Sequence, residues 1–235
     1  MRLLLISNST NAGEAYLGYP MPYIKDFLGE KKLNAVFLPY AGVTISYDDY
    51  FRKVEERFHA VGQKIHSIHH FQDPVTAIME AEVIVVGGGN TFQLIKMIRD
   101  NGLIEPVRKK VAAGTPYIGW SAGSNVACPS IKTTNDMPVT EPDSFEAFRL
   151  VPFQINPHYL DKNPDGHAGE TREDRINEFL EVNKEISVVG LREGCILQVE
   201  DKHIRHIGNR SARIFRYGET PEEWNSEKDF SVLLS

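Results

Sequence analysis

Short apolar runs alternate with longer amphipathic segments along most of the chain, and this alternation restricts the fold more than any other feature of the sequence. The runs that we predict to be strands are residues 3–7, 34–41, 64–71, 82–89 and 116–120. Most of them are apolar along their whole length rather than at every second residue. Such runs are typical of strands that are covered on both faces in a parallel sheet.

The segments between these runs have the spacing of amphipathic helices. Residues 48–62 and 90–102 both repeat apolar side chains at intervals of three or four, and Gly102 is suited to end the second helix. Residues 186–208 are predicted to form short strands that extend the sheet in antiparallel fashion. We therefore expect one α/β domain over residues 1–235, with a mostly parallel sheet sandwiched by helices.

Charge and cysteine content exclude several classes of function. The 235 residues carry a net charge of −6 without a basic run, whereas nucleic-acid and membrane-surface binding both depend on clustered lysine and arginine. Two cysteines do not make a disulfide framework. No apolar stretch approaches the ~20 residues of a membrane span, and the first one is too short for a signal peptide. We expect a cytoplasmic protein that needs no cofactor.

A serine lies between two glycines where the fifth predicted strand ends, in the sequence Gly119-Trp120-Ser121-Ala122-Gly123. Flanking glycines remove side chains that would clash, so the serine can adopt a strained backbone and act as an exposed nucleophile. The next amide, at the start of a helix, would then stabilise an oxyanion. Ordinary glycine-rich turns have the same pattern, so the pentapeptide alone does not decide between the two interpretations.

Three glycines and an asparagine, Gly87-Gly88-Gly89-Asn90, follow the fourth predicted strand. Without β-carbons, the backbone amides of such a turn can approach a ligand closely. The turn lacks the glycine spacing of dinucleotide-binding loops and the Gly-Lys-Ser/Thr of a P-loop, so nucleotide binding is disfavoured. We interpret it as a second source of oxyanion donors.

A histidine follows another strand-like run, residues 153–159, in which Pro157 ends the strand directly before His158. A histidine at such a position is a candidate general base, and a surface histidine without a role is the alternative. A carboxylate is needed to orient the imidazole. Asp136 and Glu193 are both candidates, and their spacing does not choose between them.

The remaining histidines do not predict a metal site. Strand alternation places His69 on the opposite face from His66 and His70, and it separates His203 from His206 in the same way. None of them has the spacing of a zinc ligand with a nearby cysteine or carboxylate, so we expect no metal.

Several of these stretches together resemble the peptidase E family of S51 serine peptidases. The segments that carry the resemblance are LLISNST, IVVGGGNTFQLIK, YIGWSAGSNVACPSIKTTNDMP, QINPHY, GHAGETREDRI and GLREG. They occur in the family's order up to about residue 200, and the match is most specific between Gly87 and Pro138. The resemblance implies a flavodoxin-like fold related to class I glutamine amidotransferases rather than the α/β-hydrolase fold.

The resemblance also implies roles for the candidate residues. The nucleophile falls on Ser121, the base on His158 and the acid on Glu193 rather than Asp136. The order serine, histidine, acid differs from the order serine, acid, histidine of α/β-hydrolases. The family's oxyanion donors fall on the backbone of Gly88, Gly89 and Ala122.

Members of this family cleave dipeptides with an N-terminal aspartate, and such a substrate needs a cation in its binding site. Arg172 is a candidate because it lies in the first turn of a helix predicted over residues 169–180, where Thr171 and Asp174 suggest a capping box. A cation is disfavoured at that end of a helix unless it holds an anion there. The alternative is a surface arginine paired with a neighbouring glutamate. Asn90 is a further candidate for substrate binding.

Three functions compete on this basis. The first is a serine exopeptidase for Asp-X dipeptides, with a small peptide as its partner and a monomer or homodimer as its state. A related S51 hydrolase for cyanophycin-like β-aspartyl-arginine chains would need an acidic pocket, which Arg172 disfavours. A non-catalytic binding protein of amidotransferase-like fold is disfavoured by the joint presence of Ser121, His158 and Glu193.

Overall fold

The computed structural model of the chain describes residues 1–163, 166 and 168–234. Its strands, in chain order, are β1 (Arg2–Ile6), β2 (Asn34–Leu38), β3 (Lys64–Ser67), β4 (Val83–Val86), β5 (Tyr117–Trp120), β6 (Gln154–Pro157), β7 (Val188–Leu191), β8 (Ile196–Glu200), β9 (His203–Ile207), β10 (Ala212–Phe215) and β11 (Glu222–Trp224). Its α-helices are α1 (Met21–Leu28), α2 (Tyr47–Ala60), α3 (Pro74–Glu80), α4 (Thr91–Asp100), α5 (Ile104–Ala112), α6 (Ala122–Asn125) and α7 (Arg172–Val182). Short 3-10 helices cover Ile68–His70 and Phe230–Leu234.

A seven-stranded sheet lies at the centre, in the order β3-β2-β4-β5-β1-β8-β9. The first five strands in this order pair in parallel, and β8 and β9 add two antiparallel strands beyond β1. Successive side chains of a strand point to opposite faces, so both faces need a cover. In β1, Leu3 and Leu5 join the core formed with α4 and α5, whereas Leu4 and Ile6 join the core formed with α1 and α2. The predicted α/β class, with a mostly parallel sheet between helices, is therefore confirmed.

A second sheet of four strands has the order β11-β10-β7-β6. In it β6 and β7 pair in parallel, while β10 is antiparallel to both of its neighbours. The antiparallel extension expected from residues 186–208 is thus formed by β8 and β9 only, and β7 belongs to this second sheet, which the sequence did not predict. Residues 192–195 lead directly from β7 in the second sheet to β8 in the first. This turn and the end of β6 place two of the candidate residues where the two sheets meet.

Capping side chains set the starts of the helices near the glycine turn and near Arg172. Asn90 accepts a hydrogen bond from an amide in the first turn of α4, and Thr171 and Asp174 form the predicted capping box at the start of α7. Within the described ranges, no helix is long and apolar enough to cross a membrane.

Candidate active site

The backbone at Ser121 has the strained form that the Gly-x-Ser-x-Gly pattern predicts. Ser121 has φ 53° and ψ −113°, a conformation that is rare for a residue with a β-carbon. A β-carbon at Gly119 would lie 2.4 Å from the carbonyl oxygen of Gly123, and one at Gly123 would lie 2.2 Å from that of Val86. Both glycines are therefore required by close backbone approach, and they allow the serine to leave the strand sharply.

A short helix, α6, follows Ser121 directly. It comprises Ala122–Asn125, a single turn, and the side chain of Asn125 then donates a hydrogen bond to the carbonyl of Ile155 at 2.8 Å. A helix thus begins beside the serine as predicted, but a single turn sums few peptide dipoles and its dipole adds little. What remains at this position is the individual amide of Ala122.

Three backbone amides around Ser121 have no acceptor among the described residues. They belong to Gly88, Gly89 and Ala122. A β-carbon at Gly88 would lie 3.0 Å from the β-carbon of Ser121, and one at Gly89 would lie 2.3 Å from the carbonyl oxygen of Ala41. The glycine turn thus packs against the serine, with amides free to donate to an anion.

A buried tyrosine holds the glycine turn from behind. The hydroxyl of Tyr50 donates to the carbonyl of Gly88 at 2.8 Å and lies 3.3 Å from the indole nitrogen of Trp120. Burial raises the pKa of Tyr50 to about 12, so the hydroxyl keeps its proton at neutral pH. Sequence reasoning missed Tyr50, because the apolar pattern of a helix face does not show where a tyrosine hydroxyl points.

His158 lies directly after β6 and faces Ser121. Its Nε2 atom is 2.8 Å from the Ser121 hydroxyl oxygen. The backbone at His158 has φ 54°, and its amide donates to the hydroxyl of Ser7 at 3.0 Å. Ser7 in turn donates to the carbonyl of Leu191 at 2.7 Å, which ties the end of β1 to the end of β7. The position of the imidazole is thus fixed by both sheets.

Glu193, rather than Asp136, contacts this histidine. An oxygen of the Glu193 carboxylate lies 2.6 Å from Nδ1 of His158. The turn that carries Glu193 is held by Gly194, which has φ 82° and donates its amide to the side chain of Asn8 at 2.8 Å. The side chains of His158 and Glu193 are 39% and 46% exposed, so the pair opens to solvent on one side.

Asp136 has a different environment. One of its oxygens accepts from the amide and hydroxyl of Thr91, at 2.7 and 2.6 Å, and from the hydroxyl of Thr134 at 3.1 Å. The carboxylate thus stabilises the start of α4. Its other oxygen has no hydrogen-bond partner among the described residues, and Asp136 lines the same cavity as Ser121 and His158.

This cavity has a volume of about 830 Å³. Its lining residues are Ser9, Tyr16, Ala41, Gly42, Val43, Thr44, Ile45, Tyr50, Lys53, Gly88, Gly89, Asn90, Trp120, Ser121, Asp136 and His158. They include one cation, Lys53, which the sequence did not single out because it lies on the polar face of α2. The side chain of Asn90 also caps α4 and donates to the carbonyl of Met137 at 2.8 Å, so its amide group is already engaged.

Arg172 does not line the cavity. It is half-buried at the first residue of α7, and burial lowers the pKa of its guanidinium, partly offset by the charge of Asp136. In the described part of the chain it forms no hydrogen bond or salt bridge, and the neighbouring Glu170 pairs with Arg175 instead, at 3.8 Å. The alternative of an arginine paired with an adjacent glutamate is therefore not what the structure has.

The predicted separation of His69 from His70 is wrong. β3 ends at Ser67 and continues as a 3-10 turn, so strand alternation does not apply to His69 and His70. Both imidazoles contact the carboxylate of Asp48, at 3.0 and 2.7 Å. A carboxylate that is distant in sequence thus lies beside them.

Comparisons with known proteins identify the family. A family model described as peptidase family S51 matches residues 3–207. The chain is 50% identical to peptidase E of Nostoc sp. over 233 residues, which cover 99% of this chain and 96% of that protein. It is 48% identical to peptidase E of Salmonella newport over 219 residues, which cover 93% and 95% of the two chains. A crystal structure of a peptidase from an acI-B1 Actinobacterium has the same fold, with a TM-score of 0.69 at 15% identity, and the match covers 97% of this chain and 96% of that one. This chain therefore belongs to peptidase family S51, a family of serine peptidases.

Proposed function

We propose that the chain is a serine exopeptidase that hydrolyses dipeptides with an N-terminal aspartate, through a triad of Ser121, His158 and Glu193. The observation that carries this proposal is the pair of contacts on His158, 2.8 Å to the Ser121 hydroxyl and 2.6 Å to the Glu193 carboxylate. A nucleophile and a base within hydrogen-bond reach, with the base oriented by an acid, are what covalent catalysis requires.

The reaction proceeds in two steps. Nε2 of His158 takes the hydroxyl proton as the Ser121 oxygen attacks the peptide carbonyl, and it then gives that proton to the departing amine. Water then attacks the acyl-enzyme while His158 takes its proton. His158 returns this proton to the Ser121 oxygen as the acid product leaves. In both tetrahedral intermediates the oxyanion accepts hydrogen bonds from the amides of Ala122 and the Gly88-Gly89 turn, for which the described residues offer no other acceptor.

The two charged ends of a dipeptide need opposite charges in the cavity. We assign the substrate ammonium group to Asp136, since one of its carboxylate oxygens is unpaired among the described residues and the residue lines the cavity. We assign the free carboxylate of the second residue to Lys53, the cation among the lining residues. These two contacts would favour dipeptides over longer or blocked chains.

The substrate aspartate side chain is assigned to Arg172. The support is a half-buried guanidinium without a salt bridge in the described part of the chain, within the field of Asp136. Because Arg172 does not line the cavity, its side chain must turn towards the bound peptide. The chain's net charge of −6 cannot attract an acidic dipeptide over long range, so the attraction must be local.

A panel of dipeptides tests this function. We expect the purified protein to hydrolyse Asp-Leu, to cleave Asn-Leu and Ala-Leu poorly, and to leave β-Asp-Arg intact. The absence of turnover on every peptide would support the non-catalytic binding protein, and preference for β-Asp-Arg would support the cyanophycinase-like alternative.

Two substitutions locate the aspartate contact. We expect Arg172→Met to lower kcat/KM on Asp-Leu steeply, because only the acidic substrate loses an ion pair. The ratio of kcat/KM for Asp-Leu to that for Ala-Leu should therefore decrease. Lys53→Met serves as the matched control, and it should lower kcat/KM on all free dipeptides by a similar factor. If Arg172→Met lowers kcat/KM equally on all substrates, Arg172 supports the fold instead. If the selective loss on Asp-Leu occurs in Lys53→Met, the aspartate contact belongs to Lys53.

A further inference from the structure

A cluster of two histidines and one aspartate lies outside the active-site cavity. Asp48 is in the first turn of α2, and His69 and His70 form the 3-10 turn after β3. The Nε2 atoms of the two imidazoles lie 3.0 and 2.7 Å from the same oxygen of Asp48. All three potential ligand atoms lie within 4.8 Å of one another, and none of the three residues lines the cavity.

Neighbouring groups fix the directions of both imidazoles. Nδ1 of His69 lies 2.6 Å from the hydroxyl oxygen of the buried Ser67. The ring of Tyr47 meets His69 edge-on at 5.5 Å between centroids, and the ring of Phe51 meets His70 edge-on at the same separation. A hydrogen-bond partner on the second ring nitrogen is what orients a metal-bound histidine and sets its tautomer.

We propose that Asp48, His69 and His70 bind a divalent transition-metal ion, with Zn²⁺ as the representative of its class. Two imidazole nitrogens and one carboxylate oxygen are typical of zinc sites that keep a fourth position for water. Tetrahedral ligands at normal zinc distances lie about 3.3 Å apart, so the contacts to Asp48 need to lengthen by only about 0.3–0.6 Å. In the bound form both Nε2 atoms are deprotonated, and Nδ1–H of His69 donates to the Ser67 hydroxyl.

Exposure and charge also suit a metal at this position. Asp48 and His70 have side chains that are 68% and 48% exposed, so an ion can enter and retain bound water. With neutral imidazoles the three ligands carry one negative charge. A metal held there would join the start of α2 to the turn after β3, two segments that are distant in sequence, and would therefore stabilise the folded state.

Calorimetric titration of the metal-free protein with Zn²⁺ in a non-chelating buffer tests the site. We expect one ion per chain, and at least tenfold weaker binding in Asp48→Asn and in His70→Gln. Saturation at a hundredfold excess over Kd should raise the thermal midpoint of the natural protein by roughly 5–10 °C. The same addition should leave the midpoint of Asp48→Asn almost unchanged.

Two further variants separate this site from other metal-binding groups. His158→Gln removes the active-site imidazole and should keep the Zn²⁺ affinity, and His203→Gln, an exposed histidine elsewhere, should keep it as well. The proposal is overturned if Asp48→Asn binds Zn²⁺ like the natural protein, or if His158→Gln abolishes binding. A natural protein that shows no binding and no thermal shift at millimolar Zn²⁺ overturns it equally. Circular dichroism checks that each variant is folded.

Discussion

Two regions of this molecule place a serine, a histidine and a carboxylate in hydrogen-bond contact. In the first, His158 joins Ser121 to Glu193, with distances of 2.8 and 2.6 Å. In the second, His69 joins Ser67 to Asp48, with distances of 2.6 and 3.0 Å. The ring nitrogens are exchanged, so that the serine faces Nε2 in the first and Nδ1 in the second. Distances alone therefore do not distinguish a catalytic triad from a structural arrangement.

The serine's backbone and surroundings do distinguish them. Ser67 has an ordinary extended conformation, with φ −84° and ψ 132°, and it is fully buried. Ser121 has φ 53°, lines a cavity and lies beside three amides that have no acceptor in the described part of the chain. A nucleophile needs room for a substrate and donors for the oxyanion, which only Ser121 has. We expect chemistry at the first region and, at most, ligand binding at the second.

The largest expected difference is between Ser121→Ala and Ser67→Ala. Removal of the nucleophile should lower kcat on Asp-Leu by roughly 10³-fold or more, because only binding and the oxyanion donors remain. Ser67→Ala should keep activity within about threefold, since Ser67 does not line the cavity. Stopped assays on both variants, with thermal midpoints as a control for folding, measure this. Near-normal turnover in a folded Ser121→Ala protein would remove Ser121 from the mechanism.

The second largest expected difference is between substitutions of the two carboxylates, Glu193 and Asp48. Glu193→Gln keeps the shape of the side chain but no longer stabilises the charged imidazole, so we expect kcat to fall by orders of magnitude, though less than in Ser121→Ala, with little change in KM. Asp48→Asn is the matched change in the second region and should leave both constants unaltered. Asp136→Asn should instead raise KM, if it binds the substrate ammonium group. A loss of kcat in Asp136→Asn that equals the loss in Glu193→Gln would contradict the assignment of the acid.

An ion cluster around the buried Arg192 adjoins Glu193 in the sequence. Arg192 is 6% exposed and donates to Asp161, to Glu223 and to the carbonyl of Ser211. The Arg192 guanidinium holds the pKa values of both carboxyls below their usual range. Because Arg192 adjoins Glu193 in the turn, we expect it to act as a positioning residue for that carboxylate.

Arg192→Met should therefore lower both stability and kcat. We expect a loss of about 2 kcal/mol in the free energy of unfolding, because two partly exposed carboxylates lose their partner. The value of kcat should fall more than KM rises, and Arg192→Lys should recover part of both losses. Urea unfolding and steady-state kinetics provide the measurements. Unchanged kcat in a destabilised Arg192→Met protein would restrict Arg192 to a structural role.

The sequence predicted the local features of the site better than the long-range ones. The glycines on either side of Ser121 indicate a strained turn directly, because the close backbone approach in such a turn leaves no room for a side chain. The contact between His158 and Glu193 depends on a second sheet, and residue spacing alone left Asp136 as an equal candidate. Only the family resemblance favoured Glu193. Lys53 gave no signal, since a lysine on an exposed helix face is ordinary.

The cluster of Asp48, His69 and His70 was likewise not predicted, because its contacts are long-range. Strand alternation separated His69 from His70 in the sequence analysis, but β3 stops at Ser67 and the tight turn brings both imidazoles to one place. Their partner Asp48 lies about twenty positions earlier, on α2. Nothing in the sequence indicates that α2 packs its first turn against the end of β3, so this cluster is visible only in three dimensions.

The smallest expected effect is that of Asp48→Asn on the metal-free protein. Hydrogen bonds from His70 and His69 lower the pKa of Asp48 in the folded state. A carboxyl whose folded pKa is depressed contributes stability above its unfolded pKa, near 4, and loses that contribution as pH falls through the folded value. In the presence of a chelator, the thermal midpoint of the variant should therefore be slightly lower at pH 7, and the difference should shrink as the pH falls below the unfolded pKa of the carboxyl. The pair is exposed, so screening keeps the difference small, and added salt should reduce it further. A deficit that persists unchanged as the pH falls through the acid range would mean that Asp48 contributes through packing or helix capping rather than through its charge.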